Sequence, residues 1–447
     1  MKKFLLGLIS ILSLCISGCT MSIKEPTSNP EPFEPEVVVV EPEEPEEVEA
    51  KDYATVLIYM CGSNLESDYA NNYYYGNVGL ATMDIMEILS VEGQPDDINI
   101  IIETGGANKW TKRSNANYGS EDISSSSLQR WHIENQKLVK DSTISYNSMG
   151  KSATLQNFIE YGLTEYPAEK TSLLLWNHGG AMQGVCFDEK KSGDGLSGME
   201  VASAVKQALE NTNIENKLEW IGYDACLMGI QDLAIINSDY FHYMVGSQEL
   251  ESGYGWDYDN WIDDLYAKKS TEEVLSAICD SFIAENNYDE YNRYRPSQND
   301  QTLAYYDLVY ASEYKEAWEN MASGLKTKIN SSNSSSFLSL IKSAKLFADY
   351  YEEGLYYYNV YGTIDVYDFI EKLSNNYTFN PGTAYLNEVK KAFNKLVPHC
   401  SVGGGAGNAN GLSMFYALHS YCDKFTYYSA DDTPLQNWQS IVATYGK

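Results

Sequence analysis

Two hydrophobic patterns alternate along this chain. Short runs that are apolar throughout lie at 55–60, 98–102, 172–176, 218–223 and 241–245, with a further one at 303–306. Runs of this length without polar alternation, rich in Val, Ile and Leu and closed by turn residues, predict strands buried on both faces. Between them, 79–90 carries Leu80, Met83, Met86 and Leu89 at helical spacing, and 198–209 and 227–237 also predict helices. Strands separated by helices predict an α/β fold with a mainly parallel central sheet covered on both faces. Residues 107–150 interrupt the alternation with Ser/Asn-rich stretches and a period-2 run around Trp131, which predicts a hairpin-like insertion. Beyond 310 the pattern turns mostly helical, near 312–328, 335–352 and 382–396, with a late strand at 411–416.

The N-terminal segment belongs to neither pattern. Lys2 and Lys3 precede an apolar run over 4–14, and Ile16-Ser17-Gly18-Cys19 follows. The run is shorter than the roughly 20 residues a spanning helix needs and reads as an export signal. Small residues directly before a cysteine resemble the lipobox of bacterial lipoproteins. That resemblance implies residues 1–18 as signal peptide and Cys19 as the acylated first residue of a membrane-anchored, extracytoplasmic protein. Residues 19–52 hold six of the 12 prolines, alternating with glutamates, which predicts an extended acidic tether. Of the net charge of −32, the stretch 25–52 supplies −10. The charge that remains still disfavours nucleic acid, whose phosphates need Lys and Arg. It suits attraction of basic substrates.

Two strand ends carry reactive side chains. His178 follows the run 172–176, and Cys226 follows 218–223. Ligands of parallel sheets sit at the carboxyl ends of the strands. An imidazole there can activate a thiol as nucleophile. The N–H groups of Gly179 and Gly180 are candidates for an oxyanion site, and a helix starting just after Cys226 would favour the thiolate. The other cysteines from 53 onward, Cys61, Cys186, Cys279, Cys400 and Cys422, show no CxxC spacing that would suggest zinc, and their pairing is not legible. His132, His242, His399 and His419 have no sequence partners and read as structural or exposed.

The stretches Leu-Leu-Leu-Trp-Asn-His-Gly-Gly at 173–180 and Gly-Tyr-Asp-Ala-Cys-Leu-Met-Gly at 222–229 resemble the two catalytic motifs of the clostripain-like cysteine peptidases, family C11. The blocks at 55–66 and 247–256 are similar to that family as well, with Ser252 where many members have Pro. The resemblance implies a caspase-like α/β/α sandwich over 53–310, followed by a mostly helical region over 311–447. It implies His178 as general acid/base, Cys226 as nucleophile and no obligatory third member. It also implies protein or peptide substrates with Arg or Lys at P1, with Asp224 in the pocket for the basic side chain. Glu249, Glu251 and Asp257 are weaker candidates for a second pocket acid. Asp224 as the cap of a following helix is the competing assignment.

Family members often mature by self-cleavage between these motifs, and the loop 189–195 offers Lys190 and Lys191. The chemistry requires no cofactor. Some members depend on calcium, for which Asp188, Glu189 and Asp194 are the candidate ligands, although no EF-hand loop is present. HExxH, GxSxG and Walker A patterns are absent. Two alternatives stay open: a catalytically inactive surface binding lipoprotein on the same scaffold, and a related cysteine peptidase with another P1 preference.

Overall fold

The computed structural model describes residues 52–447 except 71, 73–75, 289–292, 349–350, 353–354, 357–360, 420–427 and 447, and also leaves out the side chains of 351, 352, 355 and 356. The signal, Cys19 and the tether up to residue 51 therefore lie outside the described residues, as does Cys422, while Asp52, the expected end of the tether, already belongs to β1. The strands run β1 (Asp52–Cys61), β2 (Ile98–Gly105), β3 (Ser127–Glu134), β4 (Lys137–Ser145), β5 (Ala168–Trp176), β6 (Val185–Asp188), β7 (Asp194–Leu196) and β8 (Leu218–Asp224). They continue with β9 (Phe241–Gly246), β10 (Thr302–Asp307), β11 (Tyr351–Glu352), β12 (Leu355–Tyr356), β13 (Thr363–Asp365), β14 (His399–Val402) and β15 (Ser413–Phe415).

Nine of these strands form one sheet in the order β14-β10-β9-β8-β5-β1-β2-β3-β4. The central run β9-β8-β5-β1-β2 is parallel throughout, and the two strands at either edge pair antiparallel. The insertion expected at 107–150 supplies the hairpin β3–β4, which extends the sheet as its edge. The segment beyond 311 is not set apart from the sheet either, because β14 pairs with β10.

Both faces of the central strands are buried, which explains their unbroken hydrophobicity. In β1, Leu57 and Tyr59 face one core cluster while Val56, Ile58 and Met60 face the other. In β5, Leu173 and Leu175 alternate in the same way with Leu174 and Trp176. One face is covered by α2 (Leu80–Ser90), α6 (Tyr258–Tyr266) and α7 (Thr271–Glu285), reached after the short helix α1 (Ser63–Ser67). The other is covered by α3 (Ser152–Glu165), α4 (Gly198–Asn211), α5 (Gln231–Asn237), α8 (Ala311–Lys326), α9 (Ser334–Ile341), α10 (Val366–Ser374), α11 (Thr383–Leu396) and α12 (Gln436–Tyr445). The result is an α/β/α sandwich, with the C-terminal helices thickening one layer. The late strand at 411–416 is β15, which pairs with β13.

Two expected helices are shorter than their hydrophobic spacing suggests. The helix expected over 227–237 begins only at Gln231. The N–H groups of Leu227 and Gly229 instead donate to Glu249 O (3.1 Å) and Ser247 O (2.7 Å), so this stretch follows the neighbouring chain. The helix expected over 335–352 stops at Ile341. Downstream, Lys345 N donates to Asp368 Oδ2 (2.8 Å), Phe347 N to Thr363 O (3.2 Å) and Ala348 N to Glu249 Oε1 (2.8 Å), replacing helical partners.

If both faces of β5 are packed, Leu173→Ala and Leu174→Ala should each destabilise by about 2–5 kcal/mol, read from denaturant midpoints. A sheet with one solvated face would tolerate one of the two.

Candidate active site

The site begins with the parallel pairing of β5 and β8, whose register places Trp176 opposite Asp224. Two residues beyond each lie His178 and Cys226. Asn177, between strand and histidine, is buried and ties three elements together. Its Nδ2 donates to Cys61 O at the end of β1 (2.6 Å), and its Oδ1 accepts from Phe187 N in β6 (2.7 Å). A Cβ on Gly179 would stand 2.2 Å from Cys226 O, so only glycine lets the two motifs touch. Gly180 is not a free donor: its N–H goes to Gly184 O at 2.9 Å. Of the two glycines proposed for an oxyanion site, Gly179 is the one left for that role.

His178 and Cys226 line one cavity of about 440 Å³ together with Trp176, Asn177, Asp224 and Glu251. The Cys226 sulfur accepts from Glu251 N at 3.2 Å. Burial, then the Glu251 carboxylate, push its thiol up to about 11. Burial moves His178 the other way, lowering its pKa. Both shifts favour a neutral thiol and a neutral imidazole over an ion pair. No helix dipole offsets this, since α5 starts five residues after Cys226 and not directly behind it. His178 Nε2 lies 2.8 Å from Asn64 Oδ1, on α1.

The floor of the cavity is acidic. Asp224 is only 4% exposed, and its Oδ2 accepts from Tyr258 Oη (2.7 Å) and Trp256 N (3.4 Å). It caps no helix, which removes the competing assignment. Burial raises its pKa to about 6. Glu251, half-buried as a residue, lies beside it with both carboxylate oxygens shut off from solvent and without a well-formed hydrogen bond among the described residues, although the Trp256 side chain and the Ala225 backbone N–H act on it. Its pKa is raised well above the usual range by burial and then by Asp224. Asp84 of α2 lies outside the cavity lining; it accepts from Trp176 Nε1 through Oδ2, while its buried Oδ1 has no partner among the described residues. A Cβ on Gly255 (φ +70°) would meet Asp84 Oδ2 at 2.8 Å and Asp224 Oδ2 at 3.2 Å, so this backbone wedges between the two carboxylates.

Of the weaker acid candidates, the structure brings only Glu251 to the pocket. Glu249 Oε1 is taken by the N–H groups of Leu250 and Ala348, both at 2.8 Å. Asp257 precedes α6, outside the cavity lining, and is influenced chiefly by burial, Asp259 and Glu285. Asp84 was hidden because the apolar positions 80, 83, 86 and 89 trace only part of the buried face of α2, with Leu80 and Leu89 buried and Met83 and Met86 half-buried against the same core. The buried stripe runs through Leu80, Ala81, Asp84, Ile85 and Ile88. Read on that stripe, a carboxylate inside the core would have stood out.

The acids of the 188–194 loop go to separate partners. Asp188 accepts from Tyr146 Oη, Met149 N (2.9 Å) and Lys190 N (2.9 Å), Glu189 from Ser67 Oγ (2.7 Å) and Asn108 N (3.0 Å), and Asp194 from Lys151 Nζ (3.0 Å) and Ser148 Oγ (2.7 Å). Among the described residues no cluster of three His, Cys, Asp or Glu is arranged to hold a metal. Lys190 and Lys191 rest over the Tyr146 ring, 4.9 and 5.5 Å from its centre, in a turn closed by Gly193 N to Asp188 O at 2.9 Å. Cys61, Cys186, Cys226, Cys279 and Cys400 are all unpaired thiols. His132 sits 2.5 Å from Asp141 and His399 2.9 Å from Asp280, both away from this cavity.

The raised thiol pKa has a measurable sign. Alkylation of Cys226 by iodoacetamide consumes thiolate, so its rate should climb steeply between about pH 8 and pH 10. A rate already level from about pH 5 would indicate a resting ion pair instead.

Comparison with known proteins gives the family and the fold. The model of the clostripain family, Peptidase C11, matches residues 58–440. Clostripain of Hathewaya histolytica is 24% identical over 346 residues, an alignment covering 66% of this chain and 63% of clostripain, so the chain spans less than two thirds of that relative. Iotapain, a secreted C11 cysteine protease from Bacteroides thetaiotaomicron, superposes with a TM-score of 0.58 at 15% identity, over 88% of this chain and 99% of iotapain. An inactive zymogen C11 protease from Parabacteroides distasonis superposes with a TM-score of 0.55 at 17% identity, over 88% of this chain and 97% of its own. With paired strand ends carrying His178 and Cys226, and with a family match over most of its length, the chain belongs to the clostripain family of C11 peptidases.

Proposed function

We propose that the protein is a cysteine endopeptidase that cleaves after Arg or Lys through Cys226 and His178. The observation that carries the specificity is the pair of carboxylates, Asp224 and Glu251, lining the same cavity as the thiol, with both Glu251 oxygens shut off from solvent and without a well-formed hydrogen bond among the described residues. An isolated buried carboxylate is costly, and a guanidinium or ammonium entering from the substrate supplies the missing donors. The P1 cation also offsets the Glu251 charge that raises the Cys226 pKa, so filling the pocket favours the thiolate. His178 takes the thiol proton as sulfur attacks the P1 carbonyl carbon. The oxyanion forms beside the Gly179 N–H. His178 then protonates the departing amine, leaving a thioester that water hydrolyses with His178 as base. No cofactor enters these steps.

The same site acts on the 189–195 loop in this proposal. Lys191 and Gly193 are exposed, and Ser192 and Gly193 take left-handed backbone at φ +59° and +74°. Cleavage after Lys190 or Lys191 requires this turn to open first, since a bound peptide must be extended. Acylation at Cys19 would hold the enzyme outside the cytoplasm on the membrane. The secreted character of iotapain agrees with export.

The test is a panel of matched peptidyl-aminomethylcoumarins with Arg, Lys, Asn or Asp at P1, under reducing conditions. Hydrolysis should be confined to Arg and Lys, vanish in Cys226→Ala and His178→Ala, and fall about 10- to 100-fold in kcat/KM for Asp224→Ala, the worth of a charge-assisted hydrogen bond. Equal turnover of the Asp or Asn peptide would overturn the P1 assignment. Wild type and Cys226→Ala kept without substrate report self-processing, and equal nicking in both would refute it.

A further inference from the structure

The family motifs account for His178 and Cys226 but leave unexplained what holds the imidazole. Among the described residues its Nε2 faces Asn64 Oδ1 at 2.8 Å. An amide oxygen only accepts, so this contact requires the ring proton on Nε2. The tautomer that results leaves Nδ1 with its lone pair, the form needed to take a proton from a thiol. The orientation of the amide is consistent from its other side. Asn64 Nδ2 is 3.5 Å from Asp68 Oδ2, and Ser63 Oγ is 3.5 Å from Asn64 Oδ1. Donor thus faces carboxylate, and acceptor faces the two donors.

The element carrying Asn64 is built to stay in place. α1 is only five residues long, too short to be stable by itself. It is anchored by Glu66, which is fully buried and accepts from Thr82 N (3.0 Å), Thr82 Oγ1 (2.9 Å), Thr111 N (2.7 Å) and Thr111 Oγ1 (2.8 Å). Ser67 adds contacts to Lys109 N (3.1 Å) and Glu189 Oε2 (2.7 Å). The entry into the helix is equally constrained. A Cβ on Gly62 would stand 3.0 Å from both Glu66 and Trp110, and Ser63 adopts φ +49°. Leu65 packs against the core and the four-times bonded Glu66 carboxylate anchors the helix beneath it. The evident product of this anchoring is a fixed position for the exposed residues on the helix's free side, of which Asn64 meets the histidine.

We propose that Asn64 is the positioning residue of the His178–Cys226 pair. It accepts the Nε2 proton, selects the tautomer that presents Nδ1 to the reacting atoms, and stabilises the imidazolium formed when the thiol proton is transferred. The proposal rests on His178 being the acid/base. The titratable groups around that ring are Cys226, Asp224 and Glu251 in the cavity, Tyr69 on its wall, and Asp68 behind Asn64. Tyr361 lies across Gly180, 3.5 Å from the position of an added Cβ.

The experiment uses the full chain, an Arg-aminomethylcoumarin peptide, and Asn64→Leu, which keeps the shape without the acceptor, beside Asn64→Asp, which keeps an oxygen acceptor. Asn64→Leu should lower kcat about tenfold or more, a part of what acid–base catalysis contributes, with KM and the melting temperature unchanged. The acid limb of kcat/KM, which reports protonation of the free imidazole to imidazolium, should move to lower pH in Asn64→Leu. In Asn64→Asp most of kcat should return and that limb should move to higher pH, because a carboxylate holds the imidazolium more firmly. Wild-type kcat and pH profile in Asn64→Leu, with His178→Ala and Cys226→Ala inactive, would overturn the role of Asn64 alone. Activity retained in His178→Ala would overturn the dyad and this proposal with it.

Discussion

Everything at this site depends on the register between β5 and β8. Trp176 opposite Asp224 brings His178 and Cys226 to the same level of the sheet edge. A slip of one residue would turn every side chain of one strand to the opposite face. That slip is barred because both faces are packed: Leu173 and Leu175 belong to one core, Leu174 and Trp176 to the other. Beyond the last pair the chains still touch, with Gly179 against Cys226 O and Asn177 N donating to Asp224 O at 3.3 Å. The continuous apolar runs are therefore the means by which two distant motifs share one geometry.

Around that fixed edge the molecule stores electrostatic tension. Asp224 and Glu251 line the cavity and Asp84 lies beyond the Gly255 backbone from Asp224, with donors from Tyr258, Trp256 and Trp176 satisfying only part of their capacity. A core built for stability alone would have neutral side chains there. The raised pKa values of Asp224 and Glu251, and of the thiol next to them, share one cause, burial without a cation. Substrate charge and nucleophile activation are thereby linked: the group that fills the pocket relieves the same field that suppresses the thiolate.

Much of this was legible in the chain because it rests on local patterns. Strand cores showed as unbroken apolar runs, and His178 and Cys226 stood directly after two of them. What escaped depends on contacts across long separations. Glu249 and Ser247 capture the N–H groups that would have begun a helix at Leu227. Asp84 shares the buried face of α2 with the apolar positions, and only its burial marks it as a carboxylate inside the core. Asn64 looked like a turn residue after β1, since nothing in its neighbourhood announces a histidine 114 positions away. Loop acids that seemed clustered at 188–194 turned out to serve three separate sets of donors.

The central claim is that a basic side chain held by Asp224 and its neighbours presents its carbonyl to the Cys226 sulfur. Peptidyl chloromethyl ketones with Arg, Lys or Asp at P1 test it directly, with intact-mass and peptide-level mass spectrometry locating the adduct. The account predicts one adduct, on Cys226, formed rapidly from the Arg and Lys ketones and much more slowly from the Asp ketone. Modification of another residue, or equal labelling of Cys226 by the Asp ketone, would contradict it.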